Sequence, residues 1–129
     1  MSNPQEDDVR VLFVEDDPAV AQMYKLKLEL DGYRVEVAED GELALKMATA
    51  NLPDIIFLDI RLPKLDGLGV LEALRKDPRT KAVPVVILSN YSERELVERG
   101  LKLGALEYQI KSQTTPAKLA GGVESWLKG

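Results

Sequence analysis

Residues 11–18, VLFVEDDP, carry the two signals that decide the fold. Val11-Leu12-Phe13-Val14 is an unbroken apolar run, the pattern of a strand buried on both faces. Asp17-Pro18 is a helix start. The aspartate side chain can cap free amides, and the proline's fixed φ and missing N–H suit the first turn. Glu15 and Asp16 stand between strand and helix. The same pattern recurs outward from this stretch. Apolar runs at Val9–Val14, Arg34–Ala38, Asp54–Leu58, Val83–Leu88 and Glu107–Ile110 predict five strands. All but the second lack alternation and are expected to be covered on both sides. The first helix closes at Asp31-Gly32. Asp40-Gly41 precedes Leu43, Ala44, Leu45, Met47 and Ala48, and Asp66-Gly67 precedes Leu68, Leu71 and Leu74. Ser92 with Glu95 reads as a capping box opening a fourth helix that ends at Gly104. A fifth runs from about Thr115, with Pro116 in its first turn and Leu119, Val123, Trp126 and Leu127 on one face.

Five strand–helix units with right-handed crossovers imply an α/β fold with a parallel sheet covered on both faces. Five units are too few for an eight-fold barrel. The remaining solution is a doubly wound five-stranded parallel sheet, (βα)5, in strand order 2-1-3-4-5. Residues 1–8, MSNPQEDD, read as a flexible acidic N-terminus, and residues 9–129 as one domain. With 129 residues the chain can fill a single core without staples.

Composition removes several kinds of chemistry. The chain has no cysteine, which excludes disulfides, thiolate metal sites and cysteine nucleophiles, and no histidine, which excludes imidazole catalysis and ligation. Lys and Arg number 17 against 22 Asp and Glu, a balance opposed to a nucleic-acid surface. No apolar run approaches the ~20 residues of a membrane span, and the acidic N-terminus is unlike a signal peptide. A cytoplasmic location is the expectation.

In a doubly wound sheet the functional crevice lies beyond the carboxyl ends of the strands. Glu15, Asp16 and Asp17 follow strand 1, Asp59 follows strand 3, Ser89-Asn90 end strand 4, and Lys111 follows strand 5. Carboxylates converging in one pocket repel one another, and a divalent cation relieves this. Mg²⁺ suits one or two carboxylates with waters and phosphate oxygens, and Mn²⁺ is an alternative. A carboxylate beside such a metal can act as a nucleophile and form an aspartyl phosphate. Asp17 is better explained as an N-cap than as a ligand.

The motifs VLFVEDDP (11–18), IIFLDIRLPKLDG (55–67), VPVVILSN (83–90) and GALEYQIKS (104–112) stand in an order and spacing that resemble the receiver domain of bacterial response regulators. The likeness covers nearly the whole chain and is to a stand-alone, chemotaxis-regulator-like receiver of flavodoxin-like fold. It implies that Asp59 is the phosphoryl acceptor and, with Asp16, a direct metal ligand. Glu15 would act through water, and Arg61 would offer its backbone carbonyl. Ser89 and Tyr108 match the switch positions, Lys111 matches the lysine that meets the phosphoryl group, and Pro63, Asp66 and Gly67 match the turn after strand 3. The implied function is a phospho-acceptor in a two-component phosphorelay. A histidine kinase or phosphotransfer protein would donate the phosphoryl group, and the face of helix 4, strand 5 and helix 5 would switch for a downstream protein target. No nucleic-acid or membrane partner is implied, and oligomeric state is not legible. The chain is expected to be no enzyme beyond its own phosphoryl transfer and dephosphorylation.

Three departures carry expectations of their own. Asn90 replaces a small residue and is expected to crowd the phosphoryl pocket. Ser112 replaces a proline that follows the lysine through a cis bond, so the loop is expected to be trans and Lys111 less well aimed. Arg61 and Tyr91 are large and are expected to shield the acceptor from water, slowing self-dephosphorylation. The rival readings are a non-phosphorylated pseudo-receiver interaction module, an aspartate-nucleophile phosphohydrolase and a flavin-binding protein. The phosphohydrolase would need an acid where Arg61 stands. Flavin phosphate would be repelled by Glu15-Asp16-Asp17.

Overall fold

The computed structural model describes residues 8–128. The expected flexibility of residues 1–8 therefore falls almost wholly outside the described residues, as does Gly129. Strands β1 (Arg10–Val14), β2 (Arg34–Ala38), β3 (Ile55–Leu58), β4 (Val85–Ser89) and β5 (Glu107–Ile110) alternate with helices α1 (Pro18–Leu30), α2 (Gly41–Ala50), α3 (Gly67–Lys76), α4 (Arg94–Lys102) and α5 (Pro116–Lys128). The sheet is parallel, in the order β2-β1-β3-β4-β5.

The predicted helix boundaries hold where a side chain can be seen to make them. The Asp17 carboxylate accepts from the amides of Ala19 and Val20, Asp40 from Leu43, and Asp66 from Gly69. Gly32 and Gly104, with φ of 96° and 106°, take the left-handed conformation that ends α1 and α4. The Ser92–Glu95 capping box does not form. Helix α4 begins at Arg94, Glu93 is the N-cap, and no side chain caps it. The Glu93 carbonyl receives the Leu96 and Val97 amides, which places Ser92 one residue too early. Strand β4 starts at Val85 rather than Val83 because Pro84 has no N–H to give the ladder, although its carbonyl accepts the Ile56 amide at 3.0 Å.

Both faces of β1, β3 and β4 are covered, as expected, whereas β5 is half-buried along its length because it is an edge strand. One face packs Phe13, Tyr24, Leu28, Phe57, Leu119, Val123 and Trp126 between the sheet and α1 and α5. The other packs Leu58, Val70, Leu71, Leu74, Ile87 and the alanines of α2 between the sheet and α2, α3 and α4. Among the described residues no helix is long and apolar enough to cross a membrane.

Candidate functional site

Strand register sets the site. Val14 pairs with Leu58, so Glu15 and Asp59 leave β1 and β3 side by side. The Asp59 amide still donates to the Val14 carbonyl at 3.2 Å, and the Glu15 amide to Ala38 at 3.0 Å, which holds both carboxylates at the rim of the sheet. Ser89 pairs with Ile110, and this brings Asn90 and Lys111 out of β4 and β5 at the same level. Gly67 completes the rim. A Cβ there would lie 2.0 Å from the Asp59 carbonyl oxygen, so only glycine lets α3 start against the acceptor's backbone. The Gly67 amide donates to the Ile60 carbonyl at 2.7 Å.

Glu15, Asp16 and Asp59 present carboxylate oxygens that all lie within 4.8 Å of one another. Glu15 and Asp59 are 3% and 7% exposed, whereas Asp16 faces solvent, so the cluster has two buried walls and one open one. Lys111 Nζ donates to Glu15 Oε1 at 2.5 Å and to Asp59 Oδ2 at 2.8 Å. Asp59 Oδ1 accepts the Ile60 amide at 2.7 Å, and Glu15 Oε2 accepts the Asp17 amide at 3.1 Å. Burial raises the Glu15 carboxyl above its ordinary range, against the opposing pull of Lys111 and the Asp17 amide. Burial works against the Lys111 charge, but its bonds to Asp59 and Glu15 prevail and its pKa stands above the usual lysine value. Three carboxylates and one ammonium leave two negative charges, the complement of one divalent cation. All-oxygen donors of this kind suit a hard ion such as Mg²⁺.

Ser89 is fully buried, and its Oγ accepts the Tyr91 amide at 3.2 Å. The Tyr108 hydroxyl donates to the Tyr91 carbonyl, and burial raises its pKa. The Arg61 guanidinium carbon lies 4.6 Å from the centre of the Tyr91 ring, a cation–π contact. Arg61, Tyr91 and Tyr108 thus form a chain of contacts from the β3–α3 loop to β5.

One expectation about the departures is corrected. The Lys111–Ser112 bond is trans, as expected, since the described residues contain no cis peptide. Lys111 is nonetheless well aimed, because residues 111–113 form a single 3₁₀ turn that delivers its ammonium to both carboxylates. Asn90 is exposed, and its Oδ1 accepts the Ser112 amide at 2.9 Å. Two residues that support the site went unread in the sequence. The hydroxyl of buried Tyr24 donates to the Thr114 carbonyl at 2.6 Å, and Thr114 Oγ1 donates to the Ile110 carbonyl at 2.8 Å. Tyr24 has the spacing of an ordinary core position on α1, and nothing local marks its hydroxyl.

The model of the response regulator receiver domain matches residues 11–121. The chain belongs to this family. Its curated relatives include the DNA-binding dual master transcriptional regulator RpaA of Synechocystis, 38% identical over 79% of the chain and 42% of that protein. The transcriptional regulatory protein PrrA of Mycobacterium tuberculosis is 44% identical over 92% of the chain and 50% of that protein. The receiver therefore spans half or less of these relatives' length. Among solved structures, a response regulator of Chloroflexus aurantiacus aligns with a TM-score of 0.88 at 33% identity, covering 95% of this chain and 100% of that one. A Francisella receiver domain aligns at 0.85 and 36% identity, covering 94% and 98%.

Proposed function

We propose that this receiver accepts a phosphoryl group on Asp59 from a histidine kinase or phosphotransfer protein and passes the signal by protein contact. One observation carries the reading: Lys111 bridges Glu15 and Asp59 beside the open carboxylate of Asp16. Asp16 and Asp59 would hold Mg²⁺, or Mn²⁺, directly, with Glu15 through water and the Arg61 carbonyl completing the set. When bound, the ion supplies positive charge to phosphoryl oxygens as negative charge builds on them. The remaining work belongs to the chain. An Asp59 carboxylate oxygen attacks phosphorus, the bond from phosphorus to the donor's nitrogen or oxygen breaks, and the leaving group keeps that electron pair and takes up a proton. The Lys111 ammonium faces a phosphoryl oxygen as a point charge. The Ser89 hydroxyl donates to another, which requires it to turn from its place against the Tyr91 amide. Tyr108 then exchanges its bond to the Tyr91 carbonyl for a new position, changing the face of α4, β5 and α5.

Intact mass spectrometry after incubation with acetyl phosphate and Mg²⁺ tests the reading. The expected result is one added phosphoryl group, absent in Asp59→Asn and in chelator. An unchanged mass in the wild-type protein defeats the proposal and favours an interaction module that is never phosphorylated. The stacked Arg61–Tyr91 pair supports a long-lived phosphoryl group, because both side chains stand two residues beyond Asp59 and Ser89. Phosphoryl loss should be faster in Arg61→Asn and Tyr91→Glu, which introduce groups able to orient water.

A further inference from the structure

Two residues unabsorbed by the phosphoryl chemistry, Asn90 and Ser112, are bonded to each other, and each directly follows a residue of the site. Asn90 follows Ser89, and Ser112 follows Lys111. The bond uses the Asn90 side-chain carbonyl and the Ser112 backbone N–H, which a proline at this position would lack. We infer that Asn90 is a positioning residue for Lys111: its carboxamide holds the 3₁₀ turn at Lys111–Gln113 against the end of β4, and this aims the lysine ammonium between Glu15 and Asp59.

The geometry supports this step by step. Lys111 leaves the sheet at β5, an edge strand with only β4 beside it. The ladder's last pair is Ser89 with Ile110, so no sheet hydrogen bond constrains Lys111 itself. A lysine has four rotatable side-chain bonds and loses considerable freedom when fixed, so its placement depends on a fixed backbone below it. The turn is held at both ends. At its far end, Thr114 Oγ1 and the Thr114 amide bond the carbonyls of Ile110 and Lys111, while the Tyr24 hydroxyl holds the Thr114 carbonyl. At its near end, the side-chain hold on the turn's backbone is the Asn90–Ser112 bond. That bond spans from the residue after the buried hydroxyl to the residue after the ammonium. It therefore fixes the spacing of two groups that the proposed function requires on one phosphoryl group. The Ser112 side chain takes no part, which separates an amide-based clamp from any role of the hydroxyl.

The inference rests on the proposed function for its purpose but not for its test. Lys111 reactivity can be read in unphosphorylated protein by brief acetylation with acetic anhydride and peptide mass spectrometry, with exposed Lys76 and Lys128 as internal standards. Asn90→Ala should speed Lys111 acetylation about threefold relative to those lysines, the scale of one lost exposed hydrogen bond. Ser112→Pro should do the same, the double variant should add nothing further, and Ser112→Ala should match wild type. Asn90→Asp, which keeps an acceptor, should restore slow labelling. Unchanged labelling in Asn90→Ala, or equal acceleration in Ser112→Ala, overturns the inference. Phosphorylation by acetyl phosphate is the second reading. Asn90→Ala should be slowed at saturating donor, with the half-saturating donor concentration little changed. If no variant, wild type included, gains a phosphoryl group, the proposed function fails while the labelling still decides the clamp.

Discussion

The two faces of the sheet are packed by different chemistry, and they hold their helices to different degrees. On the α1–α5 face, Phe13 stacks on Tyr24 with ring centres 5.2 Å apart, and Trp126 meets Phe57 edge-on at 5.7 Å. Two of these aromatics also carry polar ends that find partners. Tyr24 holds the Thr114 carbonyl, and Trp126 Nε1 donates to the Glu107 carboxylate on β5. The opposite face has an aliphatic core, with Tyr108 packed against it at the β5 edge. Its outermost helix, α4, buries only Gly100 and has no side-chain cap at its start. At its end, the Arg75 guanidinium bonds the Gly104 carbonyl at 2.8 and 3.2 Å and also the carbonyls of Lys81 and Val83. The α1–α5 face thus fixes the turn that carries Lys111, while α4 is anchored at one end and lightly seated at the other. The proposed function asks this receiver to aim a lysine and to remodel a surface, and a firmly held Lys111 turn beside a lightly seated α4 suits those two demands.

The largest test of this contrast truncates one residue on each side. Phe57→Ala should cost about 3–5 kcal/mol in urea unfolding, whereas truncating half-buried Leu96 of α4, in Leu96→Ala, should cost about 1 kcal/mol. Equal losses would break the comparison. Metal sharpens it next, since the carboxylates lie at strand ends and belong to neither face. Mg²⁺ at a hundred times its dissociation constant should stabilise wild type and both variants alike, by about 2.7 kcal/mol. A metal effect lost in Phe57→Ala alone would tie the site to the aromatic face, and none at all would remove the metal assignment. Asp59→Asn should stabilise the metal-free protein, because one of three clustered charges is gone.

Neighbouring glycines in α5 offer a finer probe. A Cβ on Gly122 would lie 2.7 Å from the Trp126 ring, while one on Gly121 would meet nothing within 4 Å. Gly122→Ala should therefore cost about 1–3 kcal/mol by displacing the indole, and Gly121→Ala should add up to about 1 kcal/mol through helix propensity. Thermal melts of the two variants should move in opposite directions.

The smallest effect concerns the Tyr24 hydroxyl. Tyr24→Phe should lose about 1 kcal/mol at neutral pH, the worth of one buried hydrogen bond. Burial, with a smaller push from Glu15 and an opposing pull from Lys111, raises the Tyr24 pKa. A folded-state pKa above the unfolded value of about 10 means that the fold favours the neutral phenol. That stability is full below pH ~10 and is lost as pH rises through the folded value. Tyr24→Phe escapes this loss, so the gap between variant and wild type should narrow in alkali. Tyr33 and Tyr108, also raised by burial, titrate in both proteins and cancel from the difference. A gap that widens above pH 10 would contradict the burial of this hydroxyl.

Much of the architecture was legible because its signals are local. An aspartate before a helix, a glycine after one and an unbroken apolar run each act within a few residues, and Asp17, Asp40, Asp66, Gly32 and Gly104 do what their positions predict. The Ser92 capping box failed although its pattern was correct, because the chain enters α4 one residue later and uses Glu93. The convergence of Glu15, Asp16, Asp59, Ser89 and Lys111 was legible too, since a parallel sheet sends every strand's carboxyl end to one edge.

The amino-acid sequence by itself determined the five strand–helix units, the sheet order they imply and the edge where charged groups gather, because periodicity and capping are short-range properties of the chain. Tertiary structure alone decided how those groups are held. Sequence gave no sign that Asn90 would reach Ser112, that the Tyr24 hydroxyl would close on Thr114, or that Arg61 would lie over Tyr91. Each of these contacts joins segments brought together by strand register and helix docking. A hydrogen bond demands placement to a few tenths of an ångström, and only the assembled sheet and its packed helices supply that.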